Sequence, residues 1–297
     1  MKPLQALRHF LLALQFFTRI PITGRLADWV GYSPAMLRAS AGHFPGVGWV
    51  VGAVAAAVLA VALYLLPPGP LGALVAAGLA TAATVWLTGA LHEDGLADTA
   101  DGLGGSASKE RALAIMKDSR IGSYGAVTLV LVVGLKIALT ALLAERGAAL
   151  AAIAVLYAHV LSRAAPLDVM WGLPYIGDAD GSKSKPLAES ITRESIWTGL
   201  AWALPALGLM WWALGLWQIA VAIVPWMIAL GQMRRLLLRR LEGFTGDTLG
   251  ATQQLCELAL LLGVLVGGTI LAVGVIAPMR RRLRRAEASA RLPRHLD

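Results

Sequence analysis

An all-α, polytopic transmembrane bundle of about seven spans is the predicted fold class, and three observations predict it. Hydrophobic residues make up 57% of the 297-residue chain and charged residues only 15%, with mean hydropathy +0.67. Soluble domains carry about 25% charged residues. Apolar runs of about 20 residues, enough to cross roughly 30 Å of hydrocarbon, recur along the chain. Ala, Leu, Val and Gly dominate while aromatics stay at 7%, the composition of helices that approach closely through small residues. One integral-membrane catalytic domain over residues 1–279 is expected, followed by a basic, disordered tail over 280–297.

The elements follow in order. Residues 4–17 are apolar with Arg8 and His9 inside, then the sequence TRIP follows. That pattern predicts a short interfacial helix retained on the protein, with no cleavable signal peptide. Residues 44–66 form the first span, which stops at Pro67-Pro68. Residues 71–91 return as its hairpin partner. A second hairpin, 125–144 with 148–167, turns at Glu145-Arg146-Gly147. A third joins 196–216 to 217–233, the latter short for a span. Residues 255–277 are the last. The expectation is seven spans, bounded by six and eight.

Three polar segments, 92–124, 168–195 and 234–254, are each separated by an even number of spans. All three therefore fall on one face, with the N-terminus. They hold Lys109, Arg111, Lys117, Arg120, Lys183, Lys185, Arg193, Arg234, Arg235, Arg239 and Arg240. Basic loops mark that face as cytoplasmic. The net charge of +8 is uneven: from Arg280 onward seven arginines stand against Glu287 and Asp297. A basic tail beyond a span is a topology or lipid-surface signal, so membrane lipid is an expected partner and nucleic acid is not. An odd seventh span carries this tail to the other face, against the same rule. A single cysteine, Cys256, excludes an internal disulfide and a multi-cysteine metal cluster. A homo-oligomer is left open.

Chemistry concentrates in LHEDGLADTADGLGG (91–105), with four acids between Glu93 and Asp101. On a helix, Asp94, Asp98 and Asp101 lie at i, i+4 and i+7, within about 60° of one another. Like charges on one stripe destabilise a helix unless a cation offsets them. A hard divalent ion such as Mg²⁺ takes oxygen ligands and bridges carboxylates to a substrate phosphate. The bland alternative, a solvated acidic loop, is usually irregular in spacing and mixed with Ser, Lys and Pro. Glu93 and His92 point elsewhere on the wheel, as outer partners of the metal site or contacts to another helix, and His92 joins the substrate-binding set. HEDG is not HExxH, so a zinc protease is not indicated.

KDSRIGSYG (117–125) supplies Lys117 and Arg120 for phosphate, with Gly122 and Gly125 allowing close backbone approach. A basic membrane-flanking loop explains the same stretch equally well. RRLEGFTGDTLGATQQLCEL (239–258) surrounds Thr245, Asp247 and Thr248 with glycines. Asp247 or Thr248 caps the helix of the last span, and that helix N-terminus suits a phosphate. Segment 168–195, with YIGDADGSKSKPL, is rich in turn residues and reads as a lid or a connection.

Two other classes compete. A membrane alcohol phosphotransferase would also carry spaced aspartates beside a span, but its motif places an Ala-Arg pair after the first Asp-Gly, where this chain has Ala97-Asp98. A cation-coupled transporter would place acids within its spans and break helices at the bilayer midplane. Here the span interiors read as nearly free of ionisable groups, with Lys136 the clearest exception.

LQFFTRIP (14–21), HFPGVGWVVG (43–52), HEDGLADTADGLGG (92–105), IMKDSRIGSYG (115–125) and FTGDTLGATQQLCEL (244–258) together resemble the cobalamin synthase family, the adenosylcobinamide-GDP ribazoletransferases of vitamin B12 assembly. The resemblance runs from about residue 10 to 275; the DGLADTADG and GDTLGA cores are its specific parts. Where this chain has Glu93 the family often has Leu, which argues against Glu93 as an obligatory ligand. FPGVG replaces the frequent FPLVG, and no family role extends to the basic tail. The resemblance implies a Mg²⁺-dependent transfer. A ribose hydroxyl of α-ribazole, or of its 5′-phosphate, attacks the cobinamide-bearing phosphorus of adenosylcobinamide-GDP and GMP leaves. Such chemistry is mostly positioning and charge neutralisation. Asp94, Asp98 and Asp101 are expected to hold the metal, with Asp247 completing the site from across the bundle. Asp101 is alternatively the base for the hydroxyl proton, and Lys117 and Arg120 meet the GDP phosphates.

Overall fold

The computed structural model describes residues 3–177 and 191–271. Lys183, Lys185, most of the turn-rich stretch after Gly177 and the basic tail lie outside the described residues.

The chain enters through α1 (Pro3–Phe17), α2 (Gly24–Val30), α3 (Pro34–Ser40) and a 3₁₀ turn (Ala41–His43). α1 buries His9, Leu12, Ala13 and Leu14 and leaves Leu4 and Leu7 exposed, the amphipathic helix expected. The TRIP residues end it. Thr18 Oγ1 donates to the Leu14 carbonyl at 2.7 Å and accepts from the Ile20 N–H at 3.2 Å. The Arg19 N–H donates to the Leu87 carbonyl at 2.7 Å, which pins α1 to the end of the second span.

Seven helical stretches among the described residues are long and apolar enough to cross a membrane: Pro34–Leu65, Pro70–Thr88, Ser123–Arg146, Ala148–Gly172, Arg193–Leu214, Leu216–Arg240 and Gly246–Ile270. The expected count of seven stands. They comprise α3 with α4 (Phe44–Leu65), α5 (Pro70–Thr88), α8 (Ser123–Arg146), α9 (Ala148–Ser162) with α10 (Ala165–Gly172), α11 (Arg193–Leu214), α12 (Leu216–Arg240) and α13 (Gly246–Leu271); α6 (Leu91–Gly105) and α7 (Lys109–Met116) lie between α5 and α8. Proline at the first turn of α4 and α5 suits positions whose N–H groups need no helical acceptor. Three boundaries shift from the sequence expectation. The second span stops at Thr88, because Gly89 and Ala90 turn the chain at φ 67° and 59°. The sixth is a full span rather than a short one. The seventh starts at Gly246 rather than 255, because its polar first turns are helical too.

α13 and the α9–α10 stretch are the central pair, the most buried of the seven. Small residues bring the helices together as expected. A Cβ on Gly48 of α4 would lie 2.5 Å from the His159 carbonyl oxygen of α9, and one on Gly263 of α13 would lie 2.5 Å from Ala222 Cα of α12.

The bundle has two distinct ends. At one, Arg146 before the α8–α9 turn donates to the Leu265 carbonyl at 2.8 Å and to Thr269 Oγ1 at 2.6 Å, and Trp217 Nε1 at the α11–α12 turn donates to the Gly267 carbonyl at 3.3 Å. α13 therefore ends there. At the other end lie α6, the start of α13 and the TRIP residues. There Tyr175 and Phe244 form a parallel strand-like bridge, in which the Ile176 N–H donates to the Phe244 carbonyl and the Phe244 N–H to the Pro174 carbonyl, each at 3.0 Å. The described parts of the three polar segments thus meet at one end, as the even spacing predicts.

Candidate active site at the polar end of the bundle

α6 starts from a strained turn. Ala90 sits in the left-handed region at φ 59°, which costs a non-glycine residue roughly 1–2 kcal/mol. Its reward is direction: α6 turns across the first turns of α13 instead of continuing the span. At its other end, Arg240 of α12 donates to the Leu103 carbonyl at 3.1 Å and to the Ser106 carbonyl, satisfying carbonyls that the helix leaves open.

Glycine makes the α6–α13 crossing close. A Cβ on Gly95 would lie 2.7 Å from the Asp247 carbonyl oxygen and 2.9 Å from its Cα, and one on Gly250 would lie 3.3 Å from His92 Cα. Asp-Gly in α6 and Gly-Asp in α13 are therefore one device: each glycine admits the other backbone, and the neighbouring aspartates are brought together. Thr245 caps α13, in place of the expected Asp247 or Thr248. Thr245 Oγ1 accepts the Thr248 N–H at 3.4 Å, and Thr248 Oγ1 accepts the Thr245 N–H at 2.9 Å, a reciprocal capping box. Both threonines are buried and committed to the backbone, so the structure does not offer them to a substrate. Asp247, one residue inside the helix, stays partly open.

The three aspartates of α6 divide. Asp101 is buried, and both its oxygens are engaged. Oδ2 accepts the Gly122 N–H at 2.7 Å and Oδ1 accepts the Gly125 N–H at 2.8 Å. It caps the N-terminus of α8, where a negative charge also meets the helix dipole. A Cβ on either Gly122 or Gly125 would overlap this carboxylate. The close approach expected of those glycines is to Asp101, not to a ligand. This differs from the expectation that Asp101 turns with Asp94 and Asp98 toward a metal or takes the hydroxyl proton: each of its oxygens is held by a backbone N–H of the α8 start.

Asp94 is exposed, Asp98 is half-buried, and neither has a basic partner among the described residues. Partial burial, then the nearby carboxylates of Asp94, Asp247 and Asp101, push Asp98 up to about 7. Such a set of oxygens fits a hard divalent cation by its chemistry. No group of three His, Cys, Asp or Glu among the described residues is gathered tightly enough to hold an ion unaided.

Asp94 and Asp247 line a cavity of about 150 Å³ with His92, Arg163, Gly246, Gly250, Gln253 and the rings of Phe16, Phe17 and Phe44. At about 30 Å³ per water it holds some five waters, the scale of a diphosphate rather than a whole nucleotide. His92 stacks against Phe17 with ring centroids 6.1 Å apart, and burial drives it well below the usual histidine range, so it is neutral. His92 is thus both a cavity wall and a helix contact. Phe17 also meets Phe44 edge-on at 4.4 Å.

The expected phosphate cations are elsewhere. Arg120 is exposed and paired with Asp118 at 2.6 Å, and Lys117 is exposed at the end of α7; neither lines the cavity. The expectation that span interiors are nearly free of ionisable groups is also overturned. Lys136 of α8 pairs with Glu257 of α13 at 3.0 Å and donates to Gln254 Oε1 at 2.6 Å. Gln254 Nε2 donates to Glu93 Oε1 at 2.9 Å, so Glu93 is a helix contact rather than a ligand. His159 approaches Glu257 at 3.3 Å, and Gln253 Nε2 bonds both Glu257 (2.6 Å) and Ser162 (2.9 Å). The available signal was a Lys, an Arg and a Glu inside three separate apolar runs. Their partners lie on different helices, which spacing along one helix does not reveal.

Over residues 9–265 the chain matches the family model described as Cobalamin-5-phosphate synthase. It is 55% identical over 277 residues to the adenosylcobinamide-GDP ribazoletransferase of Albidiferax ferrireducens, covering 89% of this chain and 99% of that protein. The protein of the same name from Polaromonas naphthalenivorans is 54% identical over 275 residues, with 89% and 99% covered. That from Shewanella pealeana is 40% identical over 264 residues, with 89% and 97% covered. No solved structure matches the chain.

Proposed function

This chain belongs to the cobalamin-5-phosphate synthase family, and on that premise we propose how its residues perform the reaction. It is a transferase of cobalamin biosynthesis, an adenosylcobinamide-GDP ribazoletransferase acting at the nucleotide-loop assembly step. Its acceptor is α-ribazole or α-ribazole 5′-phosphate. A ribose hydroxyl attacks the cobinamide-linked phosphorus, the phosphoanhydride bond breaks, GMP leaves with the bond electrons, and the hydroxyl proton is lost. Adenosylcobalamin or its 5′-phosphate results. The reaction takes place at the cytoplasmic face of a bacterial inner membrane.

Asp94, Asp98 and Asp247 would hold Mg²⁺. Bound there, the ion supplies charge neutralisation on the diphosphate and on the departing phosphate. The protein's own share is positional. The α6–α13 crossing at Gly95 and Gly250 fixes the carboxylates against one wall of the cavity. Phe16, Phe17, Phe44 and His92 supply the ring faces of the same cavity and would keep water from the anhydride. Asp101 acts through α8, holding its N-terminus against α6.

One observation supports this reading most: Asp94 of α6 and Asp247 of α13 line one diphosphate-sized cavity, Asp98 lies near both, and none of the three forms an ion pair with a described residue. Purified protein incubated with adenosylcobinamide-GDP, α-ribazole and Mg²⁺ is expected to release GMP, and EDTA is expected to stop it. No GMP, beside an active control enzyme, overturns the assignment.

A further inference from the structure

We propose that Arg163 binds the diphosphate of the donor. This rests on the transferase reading above and adds to it the anion-binding group of the cavity.

Arg163 ends α9 at the same end of the bundle as α6. It is 4% exposed and is the one Lys or Arg among the described residues that line the cavity. Its hydrogen bonds are few for a buried guanidinium. Nη1 donates to the His159 carbonyl at 3.0 Å and meets His159 Nδ1 at 3.2 Å, whereas Nε has no partner among the described residues. It forms no ion pair with a described residue; Glu257, which Lys136 holds at 3.0 Å and His159 at 3.3 Å, and Glu93 attract it from beyond ion-pair distance. A buried, unpaired charge is costly unless a counter-ion reaches it. Asp94 and Asp247 line the same cavity, so carboxylates for a cation and a guanidinium for phosphate oxygens share one space. The planar fork of arginine suits phosphate oxygens, and its weaker hydration lowers the cost of using it inside a bundle. Arg163 thus takes the place that the sequence suggested for Lys117 and Arg120.

The test uses full-length Arg163→Gln and Arg163→Lys in nanodiscs, with steady-state kinetics for each substrate and thermal midpoints with and without adenosylcobinamide-GDP. The donor KM is expected to rise at least tenfold in Arg163→Gln and less in Arg163→Lys. The KM for α-ribazole should stay within twofold. Without ligand, Arg163→Gln should melt close to wild type, because it breaks no ion pair with a described residue, and it should lose most of the donor-induced rise. A Gln variant that melts lower without ligand or fails to fold makes Arg163 a structural counter-charge and overturns the proposal. So does an unchanged donor KM in either variant. If wild type itself releases no GMP, the transferase reading falls instead, and donor-induced stabilisation still reports on Arg163.

Discussion

Asp98 and Asp101 are three residues apart on one helix and have opposite electrostatic fates. Asp98 faces other carboxylates and holds its proton up to about pH 7; Asp101 faces two backbone N–H groups. Their variants should separate. Asp101→Asn leaves a single acceptor oxygen for two N–H donors, and one unmet buried N–H costs about 1–3 kcal/mol. A lower thermal midpoint at every pH, with or without Mg²⁺, is expected. For Asp98 the folded-state pKa is raised, so the folded protein binds more protons than the unfolded chain. Its contribution to stability is therefore lost as pH rises from about 4 through about 7. Asp98→Asn should remove that loss, melt no lower than wild type in EDTA at pH 8, and lose on the order of a hundredfold or more in kcat/KM, beyond the 10–100-fold typical of outer-shell metal partners. In wild type, Mg²⁺ displaces a proton from Asp98 below pH 7. The Mg²⁺ concentration for half-maximal rate should then rise about fivefold between pH 7 and pH 6. A pH-independent Mg²⁺ requirement would remove Asp98 from the site.

At the scale of elements, glycines determine which backbones touch. Gly95 and Gly250 let α6 cross α13 at backbone distance, Gly122 and Gly125 make room for the Asp101 carboxylate, and Gly102 faces Met116 and the Ala112 carbonyl of α7. The density of glycine in DGLADTADGLGG and GDTLGA thus follows from helix packing around the carboxylates. Gly95→Ala adds one methyl group where the Asp247 carbonyl lies 2.7 Å away. Overpacking of this kind costs about 1–3 kcal/mol. Here it should also move Asp247 away from Asp94 and raise the Mg²⁺ requirement. Gly78 of α5, where a Cβ meets nothing within 4 Å, is the control, and Gly78→Ala should leave both stability and Mg²⁺ dependence near wild type. Equal Mg²⁺ titrations for the two variants would show that the crossing does not set the metal site.

For the whole molecule, the odd number of spans separates two ends of different chemistry. The acidic helix, the capped start of α13 and the TRIP residues share one end; the α8–α9 turn and the end of α13 share the other. The proposed cytoplasmic orientation of the first end can be measured. Cys256 is buried in the core, so single cysteines report cleanly against it. Ser106→Cys beside α6 should resist a membrane-impermeant thiol reagent in intact spheroplasts and react once the membrane is opened. Glu145→Cys at the far turn should react in both. The reverse pattern would invert the topology and place nucleotide chemistry outside the cell.

Much of this architecture was legible in the chain's order of residues. A span needs only about 20 apolar residues, and hydrocarbon forbids unsatisfied backbone, so helix, span count and shared face follow from local composition. The acidic stripe was legible for a similar reason, since helical spacing is local. The division of that stripe was not. Asp94 and Asp98 meet Asp247 while Asp101 turns to α8, because packing brings two helix N-termini beside α6, and the sequence contains no record of which backbone arrives. The buried Lys136–Glu257 pair and the cavity position of Arg163 were hidden likewise. Periodicity describes one helix at a time, whereas a charge inside a membrane is tolerable only through partners that other helices bring to it.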